Sequence, residues 1–106
     1  MTKRIKIRAV LGDIEAELRQ LQMWQSEAPP SEALASTQPF CVDTLSLPQW
    51  LQFVFLPRLQ QLIELNLPLP HGCAIAPMAE EYFKALPVKA SSLLQFLRRV
   101  DSLLSI

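Results

Sequence analysis

The residue types able to do chemistry in this chain are few and widely spaced. His71 and Cys73 stand in a His-x-Cys order, and Cys41 lies far upstream. These are its only soft metal-ligand candidates, and a structural zinc takes about four ligands at recognisable spacings, so no metal is expected. The same residues could form a Cys and His nucleophilic pair, but no third orienting group or oxyanion signal accompanies them. Glu80 and Glu81 are adjacent, and neighbours on a helix point about 100° apart, so they do not converge as a catalytic pair. In the first turns of a helix opened by Pro77 their charge simply complements the helix dipole. A hydrolase using Cys73 or Glu80 is the enzymatic reading, and it would require turnover lost on alanine substitution with the fold intact. No catalytic constellation is complete, so no enzyme activity and no cofactor is expected.

Binding chemistry has better candidates. Arg58 follows Pro57 in an otherwise apolar run, which predicts a guanidinium near the core boundary in need of an acceptor. Asp43 and Glu80 are its candidate partners. An ion pair there would lock the middle of the chain to the second helix, whereas a free Arg58 would bind anions in a groove. Thr37, Gln38, Asp43 and Thr44 could line a polar recess walled by Phe40 and Trp50, as a small ligand or peptide site does. Their plainer role is to satisfy backbone groups in a long non-helical crossing, with Trp50 in the core. The candidate groove is therefore Thr37, Gln38, Phe40, Asp43, Thr44, Trp50, Arg58 and Glu80.

Helices must position these residues. Ile7, Leu11, Ile14, Leu18 and Leu21 fall on one stripe, predicting a helix over residues 3–25 that Trp24 extends and Glu27-Ala28-Pro29-Pro30 closes. Gly12 inside it costs about 1 kcal/mol relative to alanine, a hint of close helix contact or of simple tolerance. Ser31 can cap a short turn through Leu34. The chain then crosses in an extended or turned segment that Phe40 pins to the core.

Ser46-Leu47-Pro48-Gln49 has the order of a capping box, so a second helix should begin at Leu47. It is apolar around most of its circumference, which predicts a central helix packed around Leu51, Val54 and Leu62. Pro57 should kink it near Phe53. Asn66 to Gly72 make a turn, Pro77 opens a short helix through Met78 to Ala85, and a last helix runs from about Val88 to Leu104. Leu93, Leu97, Val100 and Leu104 form its stripe. The pattern is that of an all-α, single-domain four-helix bundle over residues 1–106, with a long proline-rich crossing segment between the first and second long helices.

At 106 residues, 50% of them hydrophobic and 19% charged, the chain can bury one core and is not disordered by composition. Its 10 basic and 10 acidic residues cancel, so no global field draws it to nucleic acid or anionic lipid. Lys3, Arg4, Lys6 and Arg8 precede Asp13, Glu15 and Glu17, a charge-segregated face on which nucleic-acid contact is the lesser reading. No signal-like apolar run and no stretch of about 18 apolar residues occurs, which predicts a cytosolic protein with free thiols and no membrane span.

The middle of the chain holds, in order, Ser36-Thr37-Gln38-Pro39-Phe40, Asp43-Thr44, Trp50-Leu51-Gln52, Pro57-Arg58, Pro68-Leu69-Pro70 and Ile75-Ala76-Pro77 with Glu80. In these pieces and their spacing it resembles the YqcC-like family of small bacterial proteins. The resemblance implies a helical bundle without an established activity. It also implies a place near RNA modification, since members are often encoded beside a tRNA pseudouridine synthase. The leading expectation is a non-enzymatic interaction module, monomer or homodimer, with an unidentified protein partner such as a tRNA-modifying enzyme. The alternative is a small-molecule or RNA-binding protein using Arg58, Gln38, Trp50 and the basic N-terminal turn.

Overall fold

Thr2 opens the first helix by accepting the Ile5 N–H on its side chain, and α1 runs Lys3–Gln20. The structure is a computed structural model that describes residues 2–72 and 74–105. Ile7, Val10, Leu11, Ile14 and Leu18 are all buried along the predicted stripe. The helix stops well short of residue 25, and not at the prolines. Gln22 takes a left-handed φ of 60°, the Gln22 N–H donates to the Arg19 carbonyl at 3.0 Å, and the Met23 N–H donates to the Leu18 carbonyl at 2.9 Å. That pair of bonds is a Schellman stop, which closes a helix by using up its last carbonyls. Trp24 is consequently off the stripe, its ring 4.6 Å from the Arg19 guanidinium carbon.

The short α2 spans Ser31–Leu34, with Pro30 in the cap position and no side-chain cap. Ser31 is thus inside the turn it was expected to cap. A 3-10 turn follows at Pro39–Cys41.

The predicted capping box is present: the Ser46 side chain accepts from the Gln49 N–H and the Gln49 side chain accepts from the Ser46 N–H. It starts α3, Leu47–Trp50, which continues without a break through a π turn at Leu51–Phe55 into α4, Leu56–Glu64. Pro57 has no N–H for the Phe53 carbonyl, and the expected disturbance there takes the form of this wide turn, with the Leu56 N–H donating to the Leu51 carbonyl. One extra residue per turn resets the register. Leu51, Phe55, Leu56 and Leu59 face the core, while Val54 and Leu62, expected at its centre, are only half-buried.

A second Schellman stop ends α4 at Asn66, φ 55°, with the Leu67 N–H on the Leu62 carbonyl at 2.9 Å and the Asn66 N–H on the Ile63 carbonyl at 3.2 Å. Helix α5, Ile75–Lys84, begins before Pro77, which a first helical turn tolerates because its amides have no internal partner. Helix α6 spans Ser91–Leu103, starting later than Val88, and buries Leu93, Leu97 and Val100. Gly72, φ 74°, donates its N–H to the Leu104 carbonyl beyond the end of α6.

Helix α1 packs on both α6 and α4, and α6 also packs on α5. The middle positions are therefore shared by α1 and α6 and do not belong to the second long helix. One buried cluster joins Ile7, Leu11 and Ile14 to Leu51, Leu59, Ile75, Leu93 and Leu97. At about 1.5–3 kcal/mol for each fully buried aliphatic side chain, this cluster is the main stabilising contribution. The chain is all-helical among the described residues, and no helix there is long and apolar enough to cross a membrane.

Candidate functional site

The crossing segment is held by its own polar groups. Thr44 donates from its hydroxyl to the Ala33 carbonyl at 2.7 Å, Ser36 donates to the Asp43 carboxylate at 2.5 Å, and the Gln38 N–H donates to the Ser36 hydroxyl at 3.1 Å. Cys41 and Leu45 are buried beneath it, with the Leu45 N–H on the Cys41 carbonyl at 2.8 Å. Between these anchors Phe40 and Cys41 both take left-handed φ, 57° and 50°, a conformation costing roughly 1–2 kcal/mol for a residue with a side chain. Phe40 sets its edge on Trp50 at 4.9 Å, and Trp50 stacks on Phe55 at 5.4 Å.

Two hollows open on either side of Phe40. One, of ≈ 250 Å³, is lined by Phe40, Trp50, Val54, Phe55 and Arg58 with Leu59, Pro70 and Ile75. The other, of ≈ 140 Å³, is lined by Phe40, Val42, Leu45, Leu47, Met78 and Tyr82. A wider concavity of ≈ 470 Å³ is only the outer side of the loop from Trp24 to Pro29.

Of the eight residues predicted from sequence, Phe40, Trp50 and Arg58 converge on one groove. The others do not join them. Thr37, Gln38, Asp43 and Thr44 are exposed and line neither hollow; the hydrogen bonds of the last three hold the crossing in shape. Among the described residues these four side chains form no recess with Phe40 and Trp50. Arg58 is exposed and makes no ion pair among the described residues. The proposed lock to Asp43 or Glu80 fails because Asp43 is taken by Ser36, and Glu80 pairs with Arg98 at 2.8 Å, joining α5 to α6. No group of three or more potential metal ligands occurs among the described residues, and Cys73 lies outside them.

Three polar side chains with large structural roles were missed in the sequence. Gln52 is buried, accepts the Gln25 N–H at 2.8 Å and donates to the Gln25 carbonyl at 2.7 Å, pairing with that backbone as a strand would. Its signal was a lone amide in an apolar run. Arg4 donates to the Leu62 and Leu67 carbonyls at 3.3 and 2.6 Å, capping the end of α4. Asp101 reaches from α6 to accept the Ile75 and Ala76 N–H groups at 3.0 and 2.8 Å, capping α5. Burial raises the Asp101 carboxyl above its ordinary range and outweighs the two amide bonds, which act in the opposite sense.

The comparisons agree with this all-helical frame. The family model DUF446, described as tRNA pseudouridine synthase C, matches residues 6–103. The uncharacterized protein YqcC of Escherichia coli K12 is 35% identical over 103 residues, covering 97% of this chain and 94% of that one. A solution NMR structure of Escherichia coli YqcC superposes with a TM-score of 0.84, covering 99% of this chain and 90% of that chain. The chain belongs to this DUF446, YqcC-like family. A tRNA pseudouridine synthase C from Pectobacterium carotovorum is 44% identical over 72 residues, 68% of this chain but 19% of that longer protein.

Proposed function

We propose that this chain is a non-enzymatic, cytosolic interaction module whose groove docks a tRNA pseudouridine synthase or a complex containing one. The observation that carries the reading is an aromatic groove, Phe40, Trp50 and Phe55, with the exposed cation Arg58 at its wall. Aromatic anchors beside an arginine are what protein interfaces concentrate at their centres. The choice of partner is supported by the Pectobacterium relative, in which a segment similar to this chain is part of a longer chain named for that enzyme. A module that works beside an enzyme is commonly found either fused to it or separate. In this reading the four longer helical stretches are the bundle that frames the groove, and the proline-rich crossing segment is its working edge.

Titration calorimetry against a tRNA pseudouridine synthase C lacking this segment tests the proposal. Binding should occur, and Arg58→Ala should weaken it about 5- to 30-fold, as loss of an interface arginine worth about 1–2 kcal/mol does. Its melting temperature should hardly move, since exposed side chains without partners contribute within about 0.5 kcal/mol. Absence of binding, or binding indifferent to Arg58, would contradict the reading.

A further inference from the structure

We propose that the groove recognises a short protein segment carrying two apolar side chains, one seated on each side of Phe40, and a carboxylate that meets Arg58. This rests on the interaction reading above and adds the chemistry of the partner's docking segment.

The two hollows share Phe40 and no other wall, so the Phe40 ring divides one apolar surface into two seats. The smaller, ≈ 140 Å³ between Val42, Leu47, Met78 and Tyr82, offers no charged side chain. That volume is close to the roughly 150 Å³ that accommodates a benzene-sized group, which fits one ring or one branched aliphatic side chain. The larger, ≈ 250 Å³, takes a bulkier side chain against Trp50 and Phe55. Val42, 60% exposed, stands at the rim of the smaller seat as apolar surface for a partner to cover.

Charge selects the third element. Arg58 is the one charged side chain lining either seat and makes no ion pair among the described residues, while Asp43 bonds Ser36 and Glu80 pairs with Arg98. An anion brought by the partner would therefore meet an uncompensated guanidinium beside an apolar wall, where a charge-assisted bond is stronger than in open water. A polypeptide satisfies both demands at once, because its backbone spaces two side chains across the dividing ring. The left-handed φ of Phe40 and Cys41 holds that ring in place, and strain of this kind clusters at ligand clamps.

Selection from a phage library of random peptides about 12 residues long on the immobilised intact chain tests the pattern. Enriched peptides should combine two apolar or aromatic residues with an Asp or Glu. Arg58→Glu should exchange that acid for Lys or Arg, and Val42→Trp, filling the smaller seat from its exposed rim, should erase the preference at one apolar position only. Both variants should melt with the parent. Enrichment without an acidic preference, an acidic preference that survives Arg58→Glu, or displacement of the peptides by dodecanoate would overturn the proposal, the last in favour of a small amphiphile. Peptides with the predicted pattern but no synthase binding would sink the choice of partner and leave this docking chemistry standing. Synthase binding through Arg58 without the peptide pattern would do the reverse.

Discussion

Gly12 lies on the exposed face of α1, and a Cβ added there meets no atom within 4 Å. Its presence is tolerance and not close helix packing, so Gly12→Ala should raise stability by about 0.5–1 kcal/mol in urea melts. A loss of stability would mean that α1 makes a contact at Gly12 that the fold does not show. The same scale separates two arginines. Arg4 sits in a run of basic residues yet is spent on the carbonyls ending α4, while Arg58 sits in an apolar helix yet is exposed and makes no ion pair among the described residues. Sequence reading named Arg58 as a groove residue with an ion pair as the alternative but missed the role of Arg4, whose acceptors lie about sixty residues away and are brought near only in the folded chain. Phe40, by contrast, was legible as the pin of the crossing segment, since a lone large ring among small and polar neighbours has few places to go.

At the scale of elements, periodicity located every long helix but did not fix its ends. The stripes of α1 and α6 were readable because buried aliphatics recur at helical spacing. The second long helix begins and ends where the Ser46 capping box and Asn66 placed it, but the other ends were not legible, because the Schellman stop of α1 uses Gln22 where glycine is the usual signal and Pro77 sits inside α5 where a start would be placed after it. The start of α5 depends on another helix altogether. Asp101→Ala should cost about 1 kcal/mol by leaving the Ile75 and Ala76 amides without their acceptor.

The pH dependence of that cap has a definite sign. With the Asp101 pKa raised above 3.8 by burial, the native state keeps a proton that the unfolded chain has released. The contribution of this group is thus fully present below 3.8 and is lost as pH rises through the native value. Asp101→Asn should lack that dependence, so the melting temperature of the parent minus that of the variant should fall from acid to neutral pH. A constant difference would assign the acid dependence to other carboxylates.

The whole molecule carries no net charge, so recognition falls to local features and not to a long-range field. Helices α1 and α6 occupy the middle of the packing, and this leaves one side of the 47–64 helix, widened by its π turn, to meet the crossing segment and form the groove. The all-helical class was legible from composition and stripes. The groove was legible only in part: Phe40, Trp50 and Arg58 were named, but Val54, Phe55 and Ile75 join them through a register set by the π turn and by the Asp101 cap. Sequence spacing on a regular helix predicts neither. The most direct measurement is therefore a proton–nitrogen NMR titration of this chain with a tRNA pseudouridine synthase C, using its two tryptophan indoles as reporters. The account predicts that the Trp50 indole and the amides of Phe40, Arg58 and Ile75 shift more than the Trp24 indole, which lines neither hollow. Perturbation confined to the basic turn of Lys3, Lys6 and Arg8, or no perturbation at all, would contradict it.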